Sequence, residues 1–106
     1  MNYRFMRLIV FFDLPMLTSA NVRSYNTFRQ FLIKQGFIMM QKSVYTKLVI
    51  NGTVSESVKS AVRKNLPPCG LVELLEVTER QFGNIEYMLG ERQNEVLDSD
   101  ERLVEI

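Results

Sequence analysis

Histidine is absent from the 106 residues, and cysteine occurs once, at Cys69. Without histidine there is no conventional zinc site, and Ser-His-Asp or Cys-His catalysis is excluded. A lone cysteine forms no internal disulfide. Any metal would therefore be held by carboxylates, carbonyls and water, which favours magnesium, manganese or calcium. No stretch approaches the roughly 20 consecutive apolar residues that a membrane helix needs. The first residues mix charge into their apolar run and offer no small-residue cleavage site, so a signal peptide is not expected and a cytoplasmic location is. There is no Gly-rich phosphate loop, internal repeat or low-complexity segment. What is present, 46% apolar and 24% charged side chains, suits one ordinary soluble globular domain with a modest core.

Acidic residues are scarce in the first two thirds of the chain. Residues 1–70 carry ten basic side chains against Asp13 and Glu56, a balance of +8, whereas residues 71–106 carry ten acids against three arginines, a balance of −7. The formal net charge of +1 hides this separation. It points to a basic surface for an anionic partner, unless the two parts neutralise each other in the fold.

The chain is organised around residues 5–12. Seven of these eight are apolar, and alternation sends Met6, Leu8, Val10 and Phe12 to one face of a sheet and Arg7, Ile9 and Phe11 to the other. A strand apolar on both faces has to be covered on both. Asp13 follows at its carboxyl end, and Pro15 stops the ladder. Asp13 is a candidate functional acid at the mouth of a central strand, or simply a turn-forming residue.

Thr18 or Ser19 then caps a helix that Gly36 ends, with Val22, Tyr25, Phe28, Leu32 and Ile33 on its apolar face. Arg29 projects from within that arc. Its head either reaches water along the core edge, or enters a buried ion pair or phosphate contact. Residues 37–41 and 44–50 read as the second and third strands, joined at 41–43 by an irregular corner or bulge. Thr53 to Glu56 matches a capping box, and Val58, Ala61, Val62 and Leu66 make a second amphipathic helix ended by Pro67-Pro68. Residues 71–77 are a fourth strand, 78–82 a helical turn, and 84–89 a fifth, peripheral strand. Residues 103–106 form a possible last edge strand.

The order strand, helix, strand, strand, helix, strand predicts an α+β, ferredoxin-like βαββαβ fold. Its four-stranded antiparallel sheet has the first and third strands central, both helices on one face, and extra C-terminal strands. Residues 1–90 are the ferredoxin-like domain and 91–106 an acidic C-terminal extension. Helices on one face leave the other apolar and wet, which a face-to-face homodimer would cover; the C-terminal strands could pair with an edge of the partner's sheet.

The motifs are Phe-Phe-Asp-Leu-Pro at 11–15, the helix end at 31–37, Met-Gln-Lys-Ser-Val-Tyr at 40–45 and Val-Thr-Glu-Arg-Gln-Phe at 77–82. In this order and spacing the chain resembles the CRISPR-associated protein two (Cas two) family over about its whole length. Phe-Asp-Leu-Pro and Thr-x-x-Gln-Phe look most like the branch from type II systems, which use a single large effector nuclease. The resemblance implies a homodimer that bridges Cas one integrase dimers during spacer acquisition and helps hold the protospacer, a double-stranded DNA. The family is also described as magnesium-dependent endonucleases acting on RNA or DNA. In that account the acid matching Asp13 is the metal ligand and catalytic residue.

Three functions follow. A non-catalytic adaptor would hold duplex phosphates with basic side chains, the candidates being Lys42, Lys47, Lys59, Arg63 and Lys64. A phosphodiesterase would use magnesium at Asp13, paired with its copy across a two-fold axis. One acid per chain is sparse for that chemistry, so the adaptor is the preferred reading. A small-ligand regulatory domain, the third, is disfavoured by the basic bias.

Overall fold

A computed structural model describes residues 5–91. The order is β1 (Met6–Asp13), α1 (Ser19–Lys34), β2 (Ile38–Gln41), β3 (Val44–Val49), α2 (Gly52–Arg63), β4 (Leu71–Thr78) and α3 (Glu79–Gly83). The strands form one sheet in the order β2-β3-β1-β4, with every neighbouring pair antiparallel. This is the expected ferredoxin-like arrangement, with β1 and β3 central. Among the described residues no helix is long and apolar enough to cross a membrane.

The core lies between the sheet and helices α1 and α2. Leu8, Val10 and Phe12 alternate onto that side, and all three are buried with Phe28 and Leu32 of α1 and Val58 and Val62 of α2. Fully burying one such side chain is worth about 1.5–3 kcal/mol. Phe12 is the hub. Its ring lies 5.3 Å from Phe28 edge-on, 5.6 Å from Tyr25 and 5.7 Å from Tyr45.

Local chemistry sets the element ends. Thr18 caps α1, its hydroxyl accepting from the Asn21 amide at 3.0 Å, while the Asn21 side chain accepts from the Thr18 amide. Gly36 adopts φ +98°, the left-handed region in which glycine carries no Cβ penalty. The corner between β2 and β3 is irregular, as its sequence suggests. The register slips between Met39 and Gln41, and Ser43 takes φ +64°.

Four expectations need correction. The cap of α2 is Asn51, whose side chain accepts from the Val54 amide at 2.9 Å. Thr53 is already inside the helix, because the chain turns helical at Gly52 directly from the extended Asn51. Val22 and Ile33 are exposed, and Phe31 packs on Phe28 instead. The helix direction that seats Phe28 and Leu32 turns Val22 and Ile33 about a quarter-turn away. Leu66 lies beyond the end of α2 and is half exposed. Residues 84–89 form no strand. β sequence preference is weak and context-dependent, and among the described residues no strand hydrogen-bonds to this segment. The expected pairing of residues 103–106 lies outside the described residues.

Candidate functional site

Asp13 ends β1 opposite Leu71 of β4, with its side chain exposed. By alternation it shares the sheet face of Arg7, Ile9 and Phe11, away from the helices. Its backbone is held on three sides. The preceding Phe12 amide donates to the Ser43 carbonyl at 3.0 Å. The following Leu14 is buried. Gly70 closes the third side: a Cβ there would stand 2.9 Å from the Asp13 carbonyl oxygen and 3.1 Å from Leu14 Cα. Gly70 also has φ +103°, so side chains are disfavoured on conformation as well as space. Sequence reasoning passed over Gly70. Its signal is a glycine directly before a strand, two residues after Pro67-Pro68.

The donor set suits one kind of metal chemistry. Among the described residues no group of three or more His, Cys, Asp or Glu side chains could hold an ion. Magnesium keeps much of its water and can be held through one or two carboxylates, so Asp13 fits a hydrated magnesium ion. It does not fit a two-metal centre.

The five candidate phosphate contacts separate. Lys42 at the β2–β3 corner and Arg63 and Lys64 at the end of α2 are exposed, and no ion pair holds them among the described residues. Lys59 is committed: its Nζ donates to Glu76 Oε1 at 2.6 Å and reaches Glu56 at 3.5 Å. Ser55, buried on α2, donates to the other Glu76 oxygen at 2.9 Å. The hydrogen bond between the pair holds Glu76 below, and Lys59 above, their ordinary values. Lys47 is half-buried, with Nζ against Gly36 at the end of α1. An ammonium there complements the negative end of the helix. Arg29 is half-buried and makes no ion pair among the described residues. A groove of about 350 Å³ lies on the helix side of the sheet, between α2 and β4, with Arg63, Leu66 and Leu74 in its lining.

The face that carries Asp13 is open and largely apolar, with Arg7 and the exposed Glu73 as its other charged side chains. Cross-strand register places Ile38, Leu48, Leu71 and Leu75 on it, and each is 43–54% exposed. They come from β2, β3 and β4, around the half-buried Phe11 of β1 and Val44 of β3.

Together these features describe a ferredoxin-like domain with an acid held at the mouth of its central strand, exposed cations at the β2–β3 corner and the end of α2, and an open, largely apolar sheet face. A family profile described as CRISPR associated protein Cas2 matches residues 6–85. Over 93% of its length the chain is 56% identical to the CRISPR-associated endoribonuclease Cas2 of Treponema denticola, covering 98% of that protein. Proteins of the same name from Streptococcus mutans serotype c and Ligilactobacillus salivarius are 42% and 39% identical. Each alignment covers 93% of this chain, and 91% and 98% of the respective relative. The chain belongs to the Cas2 family of CRISPR-associated proteins.

Proposed function

We propose that this protein is a structural adaptor of CRISPR spacer acquisition. Two copies pack through their open sheet faces, bridge Cas one integrase dimers and hold protospacer duplex DNA by its phosphates. The observation that carries this reading is the distribution of charge. Lys42, Arg63 and Lys64 are exposed and have no ion-pair partner among the described residues, while Asp13 belongs to no cluster of three or more metal-ligating side chains among them. Free cations with no constellation for base reading match a regularly charged backbone. The open apolar face supports the pairing of two copies, because soluble monomers rarely leave such a surface wet.

A second reading, a magnesium-dependent endonuclease, is favoured by the name its relatives carry and by the pinned backbone of Asp13. Asp13 from each of two copies would hold the ion. Bound there, magnesium would supply charge neutralisation at phosphate and a more acidic water. The chain's own part is to fix the Asp13 backbone through Ser43, Leu14 and Gly70 and to hold the carboxylate in solvent. One carboxylate per chain is thin support for in-line phosphodiester displacement, so the adaptor reading ranks first.

The test is acquisition of new spacers with Asp13→Asn in place of the wild type. The exchange keeps the side-chain shape and removes its charge. The adaptor reading expects acquisition close to wild type. Complete loss, in a variant that still dimerises and binds the integrase, would make the nuclease reading the better one.

A further inference from the structure

Apart from Asp13 at its end, Arg7 is the charged side chain of β1, and it sits on the open face with only 16% of its side chain accessible. Its surroundings engage both the fork and the flat face of the guanidinium. Nε donates to Glu79 Oε1 at 2.9 Å and Nη2 donates to Glu79 Oε2 at 2.6 Å, a two-pronged pair. The guanidinium carbon also lies 4.4 Å from the centroid of the Phe82 ring. Both partners belong to α3. Phe82 is 3% exposed, and the Glu79 amide donates to the Phe5 carbonyl at 3.0 Å, prolonging the β1–β4 ladder.

A partly buried ion pair is a poor way to gain stability, since well-packed apolar groups of the same volume often do as well. What it supplies is direction: a planar fork and a stacked face admit one orientation. Direction matters because α3 has five residues, too few to hold a helix without tertiary contacts. The chain leaving α3 carries Ile85, Tyr87, Met88 and Leu89, which are 37%, 41%, 86% and 95% exposed and lie in no strand. Beside it, β4 is a margin of the sheet, an eight-residue strand with no neighbour on its outer side among the described residues.

We propose that Arg7, Glu79 and Phe82 form a positioning clip that holds α3 on the open face and aims residues 85–89 at a second copy of this chain. The inference rests on the pairing of two copies proposed above. It adds that the pairing depends on the exit direction from α3 as well as on the apolar face. Arg7 is thereby a positioning residue for the interface and takes no part in phosphate binding.

The test measures dimer dissociation by sedimentation and, in the same samples, hydrogen exchange at the amides of 85–89 and of β1. Glu79→Gln keeps the shape and removes the charge. The clip expects the dissociation constant to rise about tenfold, the scale set by losing a charge-assisted two-pronged pair. Protection at 85–89 should fall with it, while β1 amides stay protected. Arg7→Lys keeps the charge and loses the fork and the stacked face, so it should shift both readouts in the same direction, and it stands in if Glu79→Gln fails to fold. Wild-type dissociation and wild-type protection at 85–89 in a folded variant would overturn the clip while leaving the dimer intact. A wild-type chain that stays monomeric at micromolar concentration would overturn the pairing and the clip together.

Discussion

Glu76→Gln tests whether the Lys59–Glu76–Ser55 network tethers α2 to β4. In the wild type Glu76 accepts from Lys59 at 2.6 Å and from Ser55 at 2.9 Å. The Glu76 and Lys59 side chains keep 25% and 21% of their accessibility, so the pair is neither fully wet nor dry. A glutamine oxygen still accepts from Ser55, which isolates the loss of charge. Lys59 is left with Glu56 at 3.5 Å, whose side chain is 68% exposed and a weak partner. A hydrogen bond to a charged group is worth about 1.5–3 kcal/mol, and partial solvation reduces this to roughly 1–2 kcal/mol. For a domain of this size the melting temperature should fall roughly 5–10 °C at neutral pH. The assay is thermal unfolding at one fixed protein concentration, because pairing of copies makes the midpoint concentration-dependent. The pH dependence has a definite sign. Glu76 is lowered in the fold, so its contribution is fully present above the unfolded value of 4.5 and is lost as pH falls through the lower folded value. Lys59 is raised, so its contribution is present below 10.5 and is lost as pH rises through the higher folded value. The gap between wild type and Glu76→Gln should close at both extremes. No gap at neutral pH, or an equal gap in strong acid, would refute this reasoning.

Gly70→Ala should lower the unfolding free energy by about 2 kcal/mol or more, since the new Cβ meets Asp13 and Leu14 backbone at a positive φ; an unchanged urea midpoint would contradict the close approach. Asn51→Ala should cost about 1 kcal/mol through loss of the α2 cap, whereas Thr53→Ala should cost little, a contrast that chemical denaturation reads directly. Reversing the charge at Lys42, Arg63 or Lys64 should weaken duplex binding to a similar extent for unrelated DNA sequences and flatten its salt dependence. Lys47→Glu should mainly destabilise the α1 end, and mobility shifts beside melting curves separate the two effects.

The strand and helix order was legible from one-dimensional signals. Periodicity switches between two and 3.6 residues, and Pro15, Gly36 and Pro67-Pro68 punctuate the switches. The placement of Asp13 was equally legible, because it follows directly from the end of an apolar strand. The α2 cap was not, since Asn51 and Thr53 both satisfy a local capping pattern and only the backbone path chooses between them.

By itself the sequence determined the element order, the division of β1 side chains between two apolar faces, and the restriction of any metal chemistry to oxygen ligands. These follow from side-chain alternation and from which residue types are present, and neither needs a distant neighbour. Tertiary structure decided which charges are free. Lys59 finds Glu76 seventeen positions away, and Arg7 finds Glu79 seventy-two away. It also decided that Gly70 meets Asp13 and that residues 84–89 have no strand partner among the described residues. Each of these depends on chain segments brought together by the sheet topology, and periodicity along one segment carries no information about which remote segment will face it.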